Sequence, residues 1–220
     1  MSIVTETWRR GTSITSGWDF TVKHRAVAMA YTYLAFGSDY RRWYADLADV
    51  RNQIEGAALL DVPCGGGVVF GHLSGTSLAR YVGADVSPSM LALASKEAEK
   101  TAIRNLEMVE CDVVTMPYDA EFDLCLSYMG LHCMPDPAGA IAAMARAVRP
   151  GGVVRGSTVI VGTGWRNDRF VSLWQRRGIF ADVYSENDLR RWLDTAGLDA
   201  ITVERSGAIA YFSATKPARV

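Results

Sequence analysis

Three short stretches carry the residues whose types and spacing could do chemistry. The first is Leu59-Leu-Asp-Val-Pro-Cys-Gly-Gly-Gly67, an apolar run that ends in an acid and passes into a glycine-dense turn. Glycine there lets a ligand approach the backbone with no Cβ in the way, and it permits positive φ. A helix start behind such a turn offers unpaired N–H groups. A plain strand-to-helix turn is the competing reading, although three consecutive glycines are costly without a ligand. The second stretch is Val82-Gly-Ala-Asp-Val-Ser87, with Asp85 24 positions after Asp61. An acid at the end of a second strand, at about that distance, meets a ribose hydroxyl pair; an Asp ahead of a helix also serves as a cap. The third is Cys111-Asp112-Val113. Asp112 is either a solvated loop aspartate or an acceptor for the exocyclic amine of a purine, with Val113 and Met90 on the two ring faces.

A dinucleotide fingerprint needs glycines at i, i+2 and i+5. Counted from Gly65 these positions hold Gly65, Gly67 and Phe70, so the third glycine is missing. An acid directly before the turn suits a cationic ligand better than a pyrophosphate. Of the three histidines, His132 lies five residues beyond Ser127, the end of another apolar run. It is read as a general base or as a loop histidine bonded to its own backbone. The four cysteines, at 64, 111, 125 and 133, form no CxxC pair, so neither a zinc site nor a disulfide framework is indicated. Beyond Asp61, Asp85 and Asp112, the acids show no cluster placed for a divalent metal.

These residues need elements to position them. Val27, Ala30, Tyr31 and Leu34, then Tyr40, Trp43, Tyr44 and Leu47, fall at i, i+3, i+4, i+7 and predict two amphipathic helices. Ser38 or Asp39 is placed to cap the second. From residue 57 the pattern becomes apolar runs at 57–62, 81–85, 106–111, 122–127 and 153–160 alternating with helices. Ser87-Pro88 and Asp136-Pro137 read as helix starts. Such alternation predicts a parallel sheet covered on both faces. Runs 200–205 and 208–215, joined at Ser206-Gly207, predict a final antiparallel hairpin. The expected architecture is an α/β Rossmann-like, seven-stranded, mostly parallel sheet with a reversed C-terminal hairpin. As one domain, it divides into a helical cap over 1–55 and a core over 56–220, with a lid insertion at about 162–180.

The chain has 220 residues, 49% of them apolar and 21% charged, and a formal net charge of -1. That composition can bury a full core and lacks the basic excess of a nucleic-acid binder. The longest low-charge stretch, 26–38, falls short of the ~20 residues of a bilayer span, and the N-terminus has no secretory h-region. A cytoplasmic location with reduced thiols is the expectation.

Five segments in order resemble one family: Leu60-Asp-Val-Pro-Cys-Gly-Gly-Gly67, Gly83-Ala-Asp-Val-Ser-Pro-Ser-Met-Leu91, Cys111-Asp112, Asp123-Leu-Cys-Leu-Ser-Tyr-Met-Gly-Leu-His132 and Arg149-Pro-Gly-Gly152. The chain is similar, over roughly 18–215, to the class I S-adenosylmethionine-dependent methyltransferases. It looks closest to their small-molecule branch of ubiquinone and menaquinone biosynthesis. The resemblance implies that Gly65 and Gly67 hold the methionine moiety, Asp85 the ribose and Asp112 the adenine. Asp61, Cys64, Val86, Met90, Val113 and Ser127 complete the expected cofactor set. The implied reaction is methyl transfer to an O, N or C atom of a small aromatic or lipophilic acceptor, giving S-adenosylhomocysteine. Trp18, Tyr31, Tyr33, Trp165 and Trp174 are expected to close over that acceptor, with Tyr31, Trp165 and Arg166 in contact and Arg169 nearby. The same aromatics also read simply as the core of small helices. One departure stands out: Pro63 occupies the first glycine of the family's acidic-x-Gly-x-Gly-x-Gly turn, which removes an N–H. Cofactor binding is expected to survive it. A nicotinamide-dependent oxidoreductase on a related sheet and a non-catalytic binding protein of the same fold are the alternatives.

Overall fold

From residue 58 onward short apolar strands alternate with helices, and the computed structural model, which describes residues 2–10 and 13–218, joins the strands into one seven-stranded sheet. Four helices come first: α1 (Ile3–Arg10), α2 (Ser13–Lys23), α3 (Arg25–Phe36) and α4 (Arg41–Arg51). They are followed by β1 (Ala58–Asp61), α5 (Phe70–Leu73), β2 (Arg80–Asp85), α6 (Pro88–Ala98) and β3 (Leu106–Glu110). Next come β4 (Phe122–Tyr128), α7 (Pro137–Ala147), β5 (Val148–Val159), α8 (Trp165–Arg176), α9 (Glu186–Thr195), β6 (Asp199–Ser206) and β7 (Ile209–Thr215). The strand order is β3-β2-β1-β4-β5-β7-β6, and only β7 runs against its neighbours. Successive strand residues feed opposite faces. Leu59, Tyr81 and Leu126 pack under the N-terminal helices and α5, while Leu60, Val82, Cys125 and Val154 pack against α7 and α9. The chain turns back from β3 to β4 beside β1, and the crevice of an open α/β sheet lies at such a switch point, at the C-terminal strand ends.

The expected strands and the reversed hairpin are present. Ser87 caps α6, with its Oγ accepting from the Met90 N–H at 3.4 Å, and Asp136 caps α7, accepting from the Gly139 N–H at 2.8 Å. The N-terminal half differs in two ways. Four helices stand where periodicity predicts two: α1 buries only Val4, and α2 contains serine, threonine and glycine, poor helix formers. Tertiary docking holds both. In α3 the buried face is Ala28, Thr32, Ala35 and Phe36, whereas Val27 and Leu34 are 41% and 71% exposed. The small side chains let the helix lie close to the sheet ends, which rotates the expected stripe outward. Asp39 accepts the Arg41 N–H at 3.0 Å, one residue before the cap position of α4.

Several side-chain and backbone bonds fasten the N-terminal helices to the core. Trp8 Nε1 donates to the Ile179 carbonyl at 3.1 Å, and the Trp8 carbonyl accepts from Ser87 Oγ at 2.6 Å. Lys23 Nζ lies 2.9 Å from Asp19 and 3.4 Å from Glu97 on α6. The β6–β7 turn closes on the end of α3, where the Ala208 N–H donates to the Phe36 carbonyl at 2.8 Å. Gly207 makes that approach possible, since its φ is +58° and a Cβ there would stand 2.1 Å from the same carbonyl oxygen. On α4, the buried Asp46 accepts from Arg155 Nε of β5 at 3.1 Å and from the Tyr128 hydroxyl of β4. Among the described residues no helix is long and apolar enough to cross a membrane.

Candidate functional site

A cavity of about 390 Å³ opens at the C-terminal ends of β1, β2, β4 and β5 beneath α1 to α4, within the size range of small-molecule sites. At one end lies the glycine turn. Gly65 holds φ +54° with open space where a Cβ would point, and Gly66 meets Asp19 of α2, whose Oδ1 lies 1.8 Å from a Cβ built there. The turn is pinned by Asp85: its Oδ2 accepts from the Gly65 N–H at 2.9 Å and its Oδ1 from the Ser87 N–H at 2.8 Å. Burial pushes the Asp85 carboxyl up to about 6, against the pull of these N–H donors. Asp61 is deeper. Its Oδ2 accepts from the Tyr81 hydroxyl at 2.9 Å, while Oδ1 is buried and has no partner. Burial pushes Asp61 up to about 7, opposed by the Tyr81 bond and reinforced by the neighbouring Asp85 charge. Asp112 faces the cavity while its Oδ1 accepts from the Val114 N–H at 3.0 Å; Met90 and Val113 line the same end.

The other end is aromatic. Phe36, Tyr40 and Trp43 descend from α3 and α4 to meet a row at the strand ends, Tyr128 on β4, Ser157 on β5 and Tyr211 on β7. Pairing sets that row, with Ser157 opposite both Tyr128 and Tyr211. Tyr40 and Trp43 stack at 5.3 Å, and Tyr31 stands edge-on to Phe36 at 5.8 Å. Five aspartates line the whole cavity: 19, 61, 85, 112 and 136. Among the described lining residues there is no lysine, arginine or histidine. Such a cavity suits a cation and repels an anion.

The sequence-predicted residues divide. Asp61, Cys64, Gly65, Asp85, Val86, Met90, Asp112, Val113 and Tyr31 come together around the cavity. Trp18 lines it too, whereas Gly67, Ser127, Tyr33, Trp165, Arg166, Arg169 and Trp174 lie elsewhere. Gly67, with φ +78°, packs against the Phe70 ring and Ala94, so it serves close helix packing rather than the cavity wall. Ser127 is fully buried and one position short of the wall, which Tyr128 supplies. Trp165 and Arg166 begin α8 on its outer side, Trp165 at 72% exposure, because the inner side presents Phe170, Val171 and Trp174. Tyr33 is exposed as well.

His132 corrects the expectation of a base. It is buried outside the cavity, with Phe180 edge-on at 4.5 Å and its Nδ1 accepting the Val159 N–H at 3.3 Å. Burial drives its pKa down to about 3, so the ring is neutral, and its bond goes to β5 rather than to its own loop. Cys133, the next residue, lines the cavity instead. Sequence reasoning did not assign Ser157, Tyr128, Tyr211, Gly66 or Asp19 to a site. The strand residues carry no local signal, because strand register brings them together. For Gly66 the signal was its place within the glycine run.

Pro63 lines the cavity beside Gly130, where a Cβ would stand 2.3 Å from the proline Cδ, so the loop after β4 lies directly on the proline ring.

A family model described as a methyltransferase domain matches residues 60–155. The ubiquinone biosynthesis O-methyltransferase of Thiobacillus denitrificans is 34% identical over 119 residues, 54% of this chain and 49% of that protein. Its namesake in Methylococcus capsulatus is 25% identical over 201 residues, 78% of this chain and 82% of that one. At 30% identity or above, the chain spans about half the length of the curated relatives it matches. Among solved structures, a phosphoethanolamine N-methyltransferase of Haemonchus contortus with S-adenosyl-L-methionine shares the fold. Its TM-score is 0.69 at 19% identity, covering 94% of this chain and 60% of that one.

Proposed function

We propose that the chain is a class I S-adenosylmethionine-dependent methyltransferase, related to small-molecule enzymes of the ubiquinone and menaquinone type, that methylates a small organic acceptor held at the aromatic end of the cavity. The observation that carries this reading is the acid-lined cavity, with no basic side chain among its described lining residues, built against a glycine turn, with one buried carboxylate oxygen of Asp61 left unpartnered. A buried acceptor without a donor is costly unless a ligand supplies one. The ammonium of a methionine moiety is such a donor, so the residues fit the cofactor.

S-adenosylmethionine supplies a methyl carbon activated by a sulfonium and leaves as S-adenosylhomocysteine. In this reading Asp61 and the backbone of Gly65 and Gly66 hold the amino-acid end, with Cys64 and Val86 beside them. Asp85 holds the ribose hydroxyls: each of its oxygens already takes one backbone N–H and keeps a lone pair for the ligand. Asp112 meets the adenine amine, with Met90 and Val113 on the ring faces. The helices α1 to α4 roof the site and exclude water. Aromatic rings and hydroxyls line the acceptor end, so this chain contributes alignment and closeness, which supply several kcal/mol to a bimolecular transfer. Its four free cysteines and near-balanced charge support a cytoplasmic enzyme with a small-molecule partner.

Calorimetric titration with S-adenosylmethionine and S-adenosylhomocysteine tests the reading. Micromolar binding is expected, weakened by about 1–3 kcal/mol in Asp85→Ala. No heat and no thermal shift with either compound would overturn it.

A further inference from the structure

Ser157 is fully buried, lines the cavity, and its Oγ has no hydrogen-bond partner. Neither neighbour in the strand-end row satisfies it: the Tyr128 hydroxyl donates to Asp46, and the Tyr211 hydroxyl makes no bond to the Ser157 Oγ. A buried hydroxyl that neither neighbour satisfies is costly in the ligand-free protein, and the space in front of it is the acceptor end of the cavity.

We infer that Ser157 orients the methyl acceptor, and that this acceptor is an uncharged planar molecule carrying a hydroxyl or carbonyl; the inference rests on the methyl-transfer reading. A serine hydroxyl both donates and accepts, so either group satisfies it. The rings of Phe36, Tyr40, Trp43, Tyr128 and Tyr211 supply flat apolar walls. An anionic acceptor would be desolvated against those walls with no lysine, arginine or histidine among the described lining residues to meet it. A cationic acceptor fares no better. Of the nearby carboxylates, Asp61, Asp85 and Asp112 are assigned to the cofactor, Asp19 is paired with Lys23, Asp136 caps α7 through the Gly139 N–H, and Asp46 behind Tyr128 is neutralised by Arg155. Tyr40 and Trp43 also stack on one another at 17°, which covers ring faces that a cation cage would need.

The test is equilibrium dialysis on protein saturated with S-adenosylhomocysteine, with saturation established first by titration. The probes are 2-naphthol, naphthalene, 3-hydroxy-2-naphthoate and 2-naphthylmethylammonium. The uncharged naphthol should bind at least about tenfold more tightly than either charged analogue. Ser157→Ala should weaken naphthol about three- to tenfold, the size of one net hydrogen bond, and leave naphthalene unchanged. Because the hydroxyl is unpartnered in the free protein, the variant's melting temperature should not fall. Binding of either charged probe as tightly as naphthol would overturn the inference, as would an equal loss for naphthalene in Ser157→Ala. Failure of naphthol to bind protein that holds S-adenosylhomocysteine would remove the acceptor class and leave the methyl-transfer reading standing. Failure of S-adenosylhomocysteine itself to bind would remove both.

Discussion

At the β1–β3 end of the cavity most polar groups follow directly from a strand: Asp61 closes β1, Asp85 closes β2 and Asp112 stands two residues past β3. Backbone N–H groups within a few residues, or on the adjacent turn, hold two of them in place. At the β4–β7 end the corresponding groups come from three strands and two helices. Tyr128, Ser157 and Tyr211 are neighbours only through register, and Trp43 reaches them from α4, which Asp46 ties to β4 and β5. One end is built locally by short-range backbone bonds; the other is assembled by tertiary docking. The first should therefore withstand damage to the N-terminal helices, and the second should not.

Cutting the main fastening gives the largest expected effect. Arg155→Met leaves the Asp46 carboxylate buried with only the Tyr128 hydroxyl, and breaking a buried pair from one side costs about 3 kcal/mol. For a chain of this size the melting temperature should fall by about 6–12 °C. Adding Asp46→Asn removes the stranded charge while keeping an acceptor for Tyr128, and should restore more than half of the loss. In both variants S-adenosylhomocysteine affinity should stay within about threefold, roughly 0.6 kcal/mol. An affinity that collapses together with the melting temperature would show that the two ends are not separable.

The same division decides what the sequence made legible. Asp61, Gly65, Asp85 and Asp112 were recognisable because a strand end, a glycine turn and a helix start are contiguous, and their chemistry can be read in order. The mostly parallel sheet and the reversed hairpin followed from alternating apolar runs and Ser206-Gly207, whereas the strand order did not. The Tyr128–Ser157–Tyr211 row was invisible, since a one-residue shift in register would turn each side chain to the other face. Helical periodicity misplaced α3 for a related reason: Ala28, Thr32 and Ala35 are buried for being small, not for being strongly apolar. Aromatic content drew attention to Trp165, but the inner face of α8 begins five residues later at Phe170.

A sharper probe of the local end is the pH dependence of cofactor affinity. Asp61, pushed up to about 7 in the free protein, must be ionised to receive a cation. Affinity for S-adenosylmethionine should therefore fall as pH drops below 7, by up to about tenfold per unit for one competing proton. Asp85, at about 6, adds to the loss at lower pH. Asp61→Asn keeps an acceptor for Tyr81, should weaken binding by about 1–2 kcal/mol at pH 8, and should flatten the profile between pH 6 and 7.5. A profile that persists unchanged in the variant would assign the proton to another group.

The contact between the two regions at the glycine turn can be tested at Gly66. A methyl group there would strike Asp19 Oδ1, so Gly66→Ala must displace that carboxylate and loosen its pairing with Lys23. The overpacking should cost about 1 kcal/mol, read by chemical denaturation. Gly66→Ala combined with Asp19→Ala should recover it, because the obstacle is then gone. Equal losses in the single and double variants would mean that α2 does not rest on the turn.

His132 offers the smallest effect at neutral pH and a way to place it outside the chemistry. Its pKa is held near 3 when folded, against about 6.5 in an unfolded chain, so the unfolded state binds the proton first as pH falls. The sign follows: His132 leaves stability untouched above about 6.5 and removes it progressively below, by about 1 kcal/mol at one unit lower. Asp61 acts in the opposite direction, because a carboxyl raised on folding favours the folded state at low pH and loses that contribution as pH rises toward 7. The parent curve therefore mixes two opposed slopes, and single variants are needed to separate them. His132→Asn puts an amide oxygen where Nδ1 accepts the Val159 N–H and carries no titratable ring. Relative to the parent, this variant should gain stability steadily as pH is lowered from 7 to 5 in parallel denaturation curves. A base on the cavity wall with a pKa near 7 would give no such gain, and a constant difference across that range would return His132 to the list of catalytic candidates.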